Sequence, residues 1–167
     1  MDHDALQRLV DEAACQGLLL NYGRAVDWRD LAALQAIFWP DAEVDLGFFK
    51  GKGADAPAFL VENAGRSLRR LHITTNARVR VDGDVAHAES CAITHAVGGN
   101  SPQDGQAHLF IGRYIDRLER RRSEWRIASR LYLLHSASTD PYAESAMLEA
   151  VSKADALGPE HPLFHHL

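Results

Sequence analysis

The stretch HITTNARVRVDGDVAHAESCAITHAV, residues 72–97, decides the fold class of this chain. Two alternating runs rich in β-branched residues flank the turn sequence DGD, which is a typical hairpin signal. Two further runs of the same kind follow at residues 106–119 and 124–137, each after a turn-forming sequence. The second half of the chain is therefore predicted to be an antiparallel meander of four long strands.

The first half of the chain has helical character instead. An amphipathic helix is predicted over residues 4–27, a short helix over 31–38 with Asp30 as its N-cap, a short strand over 41–50, and a third helix over 56–71. The stripe expected to form the buried face of the first helix consists of Leu6, Leu9, Val10, Ala13, Ala14, Gly17, Leu18 and Leu20. Helices followed by a run of strands predict an α+β domain, in which a curved sheet wraps the helices and leaves a pocket at one end.

Size and charge narrow the function classes. The chain has 167 residues and a formal charge of −5, with basic residues mixed among acidic ones, so we expect one domain that does not bind nucleic acid. Its acidic N-terminus does not resemble a signal peptide and no apolar run is long enough to span a membrane, which predicts a cytoplasmic protein without membrane contact. Cys15 and Cys91 are expected to be free thiols.

Three segments make the chain resemble the nuclear transport factor 2-like superfamily, in its SnoaL-like and scytalone-dehydratase-like branch. They are YGRAVDWRDLAALQAIFWPDAEVDLG, LHITTNARVRVDGDVAHAES and GRYIDRLERRRSEWRIASR. The resemblance implies a cone-shaped, curved antiparallel sheet around N-terminal helices, also described as a cystatin-like α+β barrel. It further implies a SnoaL-like domain over residues 1–140, followed by a C-terminal extension over 141–167.

The resemblance also suggests a site. Lyases of this family use a His–Asp pair at the positions that match His72 and Asp27, and different members have a tyrosine or a second histidine at positions that match Tyr22 and His95. The sequence departs from scytalone dehydratase at His108, and again at Phe110, where that enzyme keeps a serine and an asparagine. The substrate of that enzyme therefore does not carry over.

An elimination reaction gives these residues chemical roles. It needs a base aimed at carbon, a donor for the developing oxyanion and an acid for the leaving group. His72 is the candidate base with Asp27 orienting its ring, while Tyr22 and His95 polarise the substrate oxygen or protonate the leaving group. His108, Phe110 and Arg130 are candidate substrate-binding residues, and the scheme requires no cofactor and no metal.

Simpler interpretations remain open for each residue. Asp27 could terminate its helix, and Tyr22 could be a core side chain. His95 shares a strand face with Cys91 and Ile93, so it is expected to point inward, either as a satisfied core histidine or as a catalytic one. His108 could line the pocket or a subunit interface, and Arg130 could reach the pocket or the surface. A zinc site formed by His87, His95 and His108 lacks recognised ligand spacing, and the terminal His165 and His166 are expected to be a solvated tail.

The sequence thus favours a cofactor-independent lyase (a dehydratase) or an isomerase that acts on a small apolar cyclic substrate such as a steroid, a polyketide or an aromatic catabolite. Two alternatives remain: a non-catalytic small subunit similar to the beta subunits of ring-hydroxylating dioxygenases, and a small-molecule binding module. A homo-oligomer, either a dimer or a trimer, is expected to form through the outer sheet face. The surface predicted for this contact is the small-residue row Ala86, Ala88, Ser90, Ala92 and Thr94.

Overall fold

The structure is a computed structural model that describes residues 3–99, 105–145, 150–155 and 157–166. Most of the turn-forming sequence at residues 98–105 lies outside these ranges, as does part of the C-terminal extension predicted over 141–167. None of the helices in the described part of the chain is long and apolar enough to cross a membrane.

Three helices precede the long strands. They are α1 (His3–Asp27), α2 (Leu31–Ile37) and α3 (Ala56–Ala64). Asp30 caps α2 as predicted, because its Oδ1 accepts a hydrogen bond of 2.9 Å from the backbone N–H of Ala33. The prediction that α3 runs to residue 71 is wrong. The chain turns at Gly65, and residues from Arg69 onward pair with a neighbouring strand instead.

Six strands form one sheet. They are β1 (Phe38–Asp45), β2 (Lys50–Lys52), β3 (Arg69–Asp82), β4 (Val85–Gly99), β5 (Gly105–Arg121) and β6 (Glu124–Tyr142). Their order is β2-β1-β6-β5-β4-β3, and β3 to β6 form the predicted antiparallel meander. The first strand, β1, lies parallel to the last, β6, so the two ends of the domain meet in the middle of the sheet.

Helix α1 packs on β3, but the face it buries is not the predicted one. Leu6, Leu9, Val10 and Leu20 are each about half exposed, whereas Asp11 and Cys15 are buried. Asp11 accepts hydrogen bonds from Trp125 Nε1 at 2.9 Å and from Arg120 Nη1 at 3.0 Å. The carboxylate of Asp11 is therefore buried on the inner face of α1 because it has hydrogen-bond partners there. A hydropathy pattern alone would have assigned this residue to the solvent-exposed side.

The small-residue row on β4 also lies opposite to the prediction. Ala86, Ala88, Ser90 and Ala92 are buried on the inner face of the sheet, so they do not form the expected outer contact surface. In the β4–β5 register Ser90 pairs with Tyr114, whose large side chain fills the space that the small β4 residues leave inside the cone. The outer face carries partly exposed apolar side chains instead: Leu71, Ile73, Ile111, Ile115, Leu131 and Leu133.

Candidate active site

Asp27 and His72 touch in the structure. Asp27 is the last residue of α1 and His72 is the fourth residue of β3. Asp27 Oδ1 lies 2.6 Å from His72 Nδ1, and Asp27 Oδ2 accepts the backbone N–H of His72 at 2.8 Å. Both carboxylate oxygens are therefore engaged by one residue, and the side chains are only 9% and 8% exposed.

This contact determines which ring nitrogen can act as a base. We assign the proton of the neutral imidazole to Nδ1, because the carboxylate at this position is an acceptor. Throughout the described ranges the ring has its only hydrogen bond at Nδ1, so Nε2 has no protein partner. A neutral histidine with a free Nε2 and a carboxylate behind it is the arrangement that general-base catalysis requires.

Gly23 allows the helix to approach the strand at this point. A Cβ atom added to Gly23 would lie 2.9 Å from the Cβ of His72, closer than such atoms approach in proteins. The missing side chain lets α1 press against β3 one turn before Asp27. The sequence analysis did not identify Gly23, and nothing in its local pattern distinguishes it from the half-exposed Gly17 on the same helix.

Tyr22 lies beside the dyad in a stack of buried side chains. Its ring centroid is 6.4 Å from that of His72, and the guanidinium carbon of Arg130 lies 4.2 Å from the Tyr22 centroid and 4.3 Å from that of Tyr114. Arg130 is held in turn by two hydrogen bonds of 2.8 Å to Asp116, and both side chains are fully buried. Arg130 therefore supports Tyr22 from behind and does not face solvent.

The electrostatics keep the tyrosine hydroxyls protonated. Burial raises the pKa of Tyr22, and burial likewise raises the pKa of Tyr114 well above its ordinary value. The Arg130 guanidinium opposes this rise in both cases without cancelling it. At neutral pH Tyr22 is thus a neutral hydroxyl that can donate a hydrogen bond.

The other predicted site residues lie in two different places. His108 and Phe110 occupy inner-facing positions in the first part of β5, where Phe110 is exposed. His108 Nδ1 lies 2.9 Å from Thr139 Oγ1, and the rings of His108 and Phe110 stack with centroids 6.2 Å apart. His95 pairs with Leu71 and Leu109 on the outer face and is exposed, so the prediction that it points inward is wrong. The strand alternation puts Thr94, the neighbour of His95, in the inner position opposite His72.

The histidines considered for zinc do not converge, since His87 and His95 lie on the outer face while His108 lies on the inner one. Across the described residues, no three His, Cys, Asp or Glu side chains come close enough together to hold a metal ion.

A cavity of about 330 Å³ adjoins the dyad on the side of Asp27. Its walls are the end of α1, the loop after α3, the start of β3 and, from the C-terminal segment, Ala154, Asp155 and Leu157. The apolar substrate that the sequence favours would suit an apolar pocket, yet Arg29, Arg69 and Arg70 all line this cavity. Arg70 was not identified, although its position two residues before His72 puts it on the same face of β3.

The C-terminal segment closes one side of this cavity. Arg29 Nε donates a 2.6 Å hydrogen bond to the carbonyl of Leu157, and Arg69 forms an ion pair with Asp155. Further along, the ring centroids of His161 and Phe164 lie 5.3 Å and 6.1 Å from that of Trp28. The extension is thus fastened to the residues that directly follow Asp27.

Comparison with known proteins assigns the chain to a family. Residues 7–131 match the SnoaL-like domain, and the chain belongs to this family. The uncharacterized protein Rv2910c of Mycobacterium tuberculosis is 31% identical over 131 residues, which are 76% of this chain and 87% of that protein.

Solved structures agree with the assignment. The hexachlorocyclohexane dehydrochlorinase LinA-type3 from Novosphingobium barchaimii LL02 superposes with a TM-score of 0.69 at 26% identity, over 84% of this chain and 96% of that one. A nuclear transport factor 2-like protein with a cystatin-like fold from Novosphingobium aromaticivorans gives a TM-score of 0.62 at 23% identity, over 80% and 88%. The predicted fold and superfamily are therefore confirmed.

Proposed function

We propose that this protein is a cofactor-independent lyase that eliminates water or a halide from a small cyclic molecule. The contact between Asp27 and His72 carries the proposal, because it leaves Nε2 as an unpartnered base in a nearly buried site. The similarity to a hexachlorocyclohexane dehydrochlorinase supports it, since dehydrochlorination is an elimination.

The proposed reaction assigns a role to each group. His72 Nε2 takes a proton from a substrate carbon, the C–H electron pair becomes the new double bond, and the leaving group departs from the adjacent carbon. Asp27 holds the ring and stabilises the imidazolium that forms. A halide leaves as the anion with a hydrogen bond from Tyr22, whereas a departing hydroxyl takes the proton back from the His72 imidazolium and leaves as water. Arg130 positions Tyr22. His95 has no role in this scheme, because it lies on the outer face.

The test is a turnover screen with matched histidine variants. Wild type, His72→Ala, Asp27→Asn and His87→Ala are incubated with hydroxylated and halogenated cyclic compounds, and loss of water or hydrogen halide is followed by mass spectrometry. We expect turnover by wild type and by His87→Ala, whose side chain is exposed on the outer face. His72→Ala and Asp27→Asn should lose activity by a factor of roughly 10² to 10⁴, the usual contribution of a general base.

Other outcomes would favour the alternatives. Equal turnover by wild type and His72→Ala would remove the dyad from the mechanism. Saturable binding without any change in substrate mass would favour a small-molecule binding module, and co-purification with an iron-containing chain would favour a non-catalytic subunit.

We also propose that the protein forms a homo-oligomer, through the outer sheet face and not through the β4 row. Ile73, Ile93 and Ile111 form one row across β3, β4 and β5 on this face, and Leu71 and Leu133 are exposed on the same face. A contiguous apolar sheet face of this kind can be covered by a second copy of itself.

A further inference from the structure

We propose that the cavity beside Asp27 binds a substrate carboxylate through Arg70, so that the substrates of this protein are small monocarboxylic acids. This inference rests on the proposed function, because it names the substrate class of the same site.

Arg70 is a partly buried cation with one buried, unused donor. Its Nη2 donates hydrogen bonds to Ser67 Oγ at 2.7 Å and to the carbonyl of Asn63 at 3.3 Å, which fix the guanidinium in place. Its Nε is buried without a hydrogen-bond partner, and within the described ranges no carboxylate pairs with it. Burial lowers the pKa of Arg70, so an anion from outside would relieve both the unfilled hydrogen bond and the desolvated charge.

The other charged groups around the cavity are already engaged. Arg69 bonds to Asp155, to Glu144 and to the hydroxyl of Tyr142, and Asp27 spends both oxygens on His72. Glu144 itself also pairs with Lys153 at 3.0 Å. Arg70 therefore keeps a donor without a partner, and Asp27 offsets its charge only through space.

The charge of the cavity wall indicates a monoanion. Three arginines and two aspartates line the cavity, which leaves one excess positive charge. A carboxylate balances this charge and can accept a charge-assisted hydrogen bond from the unpartnered Nε–H of Arg70. A phosphate dianion would add a second negative charge near Asp27 and Asp155, which makes it the weaker ligand.

Asp27 lines the cavity and contacts His72, so the spacing along β3 relates this anion site to the base. A volume of about 330 Å³ is at the lower end of ligand pockets, which suits a compact molecule. Arg70 and His72 share a strand face two residues apart, and such side chains stand roughly 7 Å apart. A carboxylate and a carbon two or three bonds away can span that distance. The carboxylate acts as a binding handle and takes no part in the bond changes.

Binding of acid and amide pairs tests the proposal without requiring turnover. Wild type is titrated by calorimetry with benzoate, cyclohexanecarboxylate and 2-naphthoate, each against its uncharged carboxamide. We expect at least one acid to bind ten times more tightly than its amide, and this preference to fall below twofold in Arg70→Gln. Arg66→Gln is the matched control, since it removes the same charge from an exposed residue that pairs with Glu62. Its preference should match that of wild type.

Several results would overturn the proposal. They are the absence of any acid preference in wild type, a preference that survives in Arg70→Gln, and tighter Arg70-dependent binding of 2-naphthyl phosphate than of 2-naphthoate. Should Arg70→Gln fail to fold by circular dichroism, Ser67→Ala takes its place, and it should weaken the preference at least threefold because it frees the guanidinium.

His72→Ala separates this inference from the proposed function. The variant should keep the preference for the acid while losing turnover. If wild type shows no turnover but does show the Arg70-dependent acid preference, the proposed reaction is wrong and the carboxylate site is supported. If wild type turns over uncharged substrates and shows no acid preference, the proposed reaction is supported and the carboxylate site is wrong.

Discussion

Gly23 is the residue whose replacement tests how closely α1 must approach the dyad. Gly23→Ala should lower stability and disturb the contact between Asp27 and His72, since its new Cβ would meet the His72 Cβ at 2.9 Å. Gly17→Ala is the matched control, because a Cβ at that position meets nothing within 4 Å. The control should raise stability by up to about 1 kcal/mol through helix propensity. Thermal unfolding of the two variants measures the difference, and equal shifts would contradict the close-packing argument.

Cys15 allows a second prediction at this scale, concerning alkaline pH. Burial raises the pKa of its thiol from 9.0 to about 12, so above pH 9 the unfolded chain releases a proton that the folded chain retains. The free energy of unfolding should therefore fall as pH rises from 9 towards 12. The raised pKa of Tyr22 acts in the same direction.

Urea denaturation at pH 8 and pH 10 measures this slope. Cys15→Ala should make the slope shallower, whereas Cys91→Ala, which changes a partly exposed thiol, should leave it as in wild type. A slope that is the same in all three proteins would show that the buried thiol contributes nothing to it.

Several residues of the candidate site could be predicted from the sequence. The residues that were missed or misplaced were so for identifiable physical reasons. His72 and Asp27 were paired correctly from the resemblance, and alternation along β3 would have added Arg70. His95 was misplaced by one position, which on a strand reverses the face. The close approach at Gly23 depends on a strand far away in sequence, so no local pattern encodes it.

At the scale of single elements, the turn of the β5–β6 hairpin has backbone strain that one substitution should relieve. Arg122 and Ser123 form its two-residue turn with φ values of 53° and 71°, a conformation that favours glycine. Ser123→Gly should raise stability by about 0.5–1 kcal/mol, because it removes the steric cost of a left-handed residue while adding some chain entropy. The midpoint of urea denaturation at constant slope measures the gain.

The β3–β4 turn supplies the opposite control. Gly83 has a φ of 60° and open space around it, so Gly83→Ala tests the backbone alone and should lower stability by about 1 kcal/mol. Stabilisation by Gly83→Ala, or destabilisation by Ser123→Gly, would contradict this account of both turns.

Periodicity located the helices and strands well, but it did not determine which way they face. In α1 the buried positions include Asp11, whose contacts with Trp125 and Arg120 outweigh its polarity, while Leu9 is left exposed. The overlong prediction for α3 has a similar origin, because Gly65 and the pairing of Arg69 with Val97 end the helical stretch. Contacts with residues distant in sequence determine both the buried face of α1 and the end of α3, and a single sequence does not reveal those contacts.

For the whole molecule, the exposed outer face predicts self-association. Ile111→Glu should convert the assembly to monomers, since Ile111 pairs with Ile93 and the new charge would lie in an apolar row of the outer face. Ala58→Glu adds the same charge on the exposed side of α3 and should leave the assembly intact. Light scattering coupled to size exclusion measures the mass of each variant. A monomeric wild type, or an Ile111→Glu protein of unchanged mass, would contradict the proposed contact.

The parallel pairing of β1 with β6 has a consequence for biosynthesis. Val44 pairs with Arg130, so β1 is synthesised early but cannot pair with β6 until that last strand has been synthesised. A nascent chain that ends before residue 124 has α1 and β3, which carry the dyad, but the edge of β1 that pairs with β6 is still unpaired. The side chains of Phe38 and Val44 then lack their final neighbours. Folding on the ribosome should therefore stall until the final strand emerges, and during that interval the half-made domain is a substrate for chaperones and a source of aggregation.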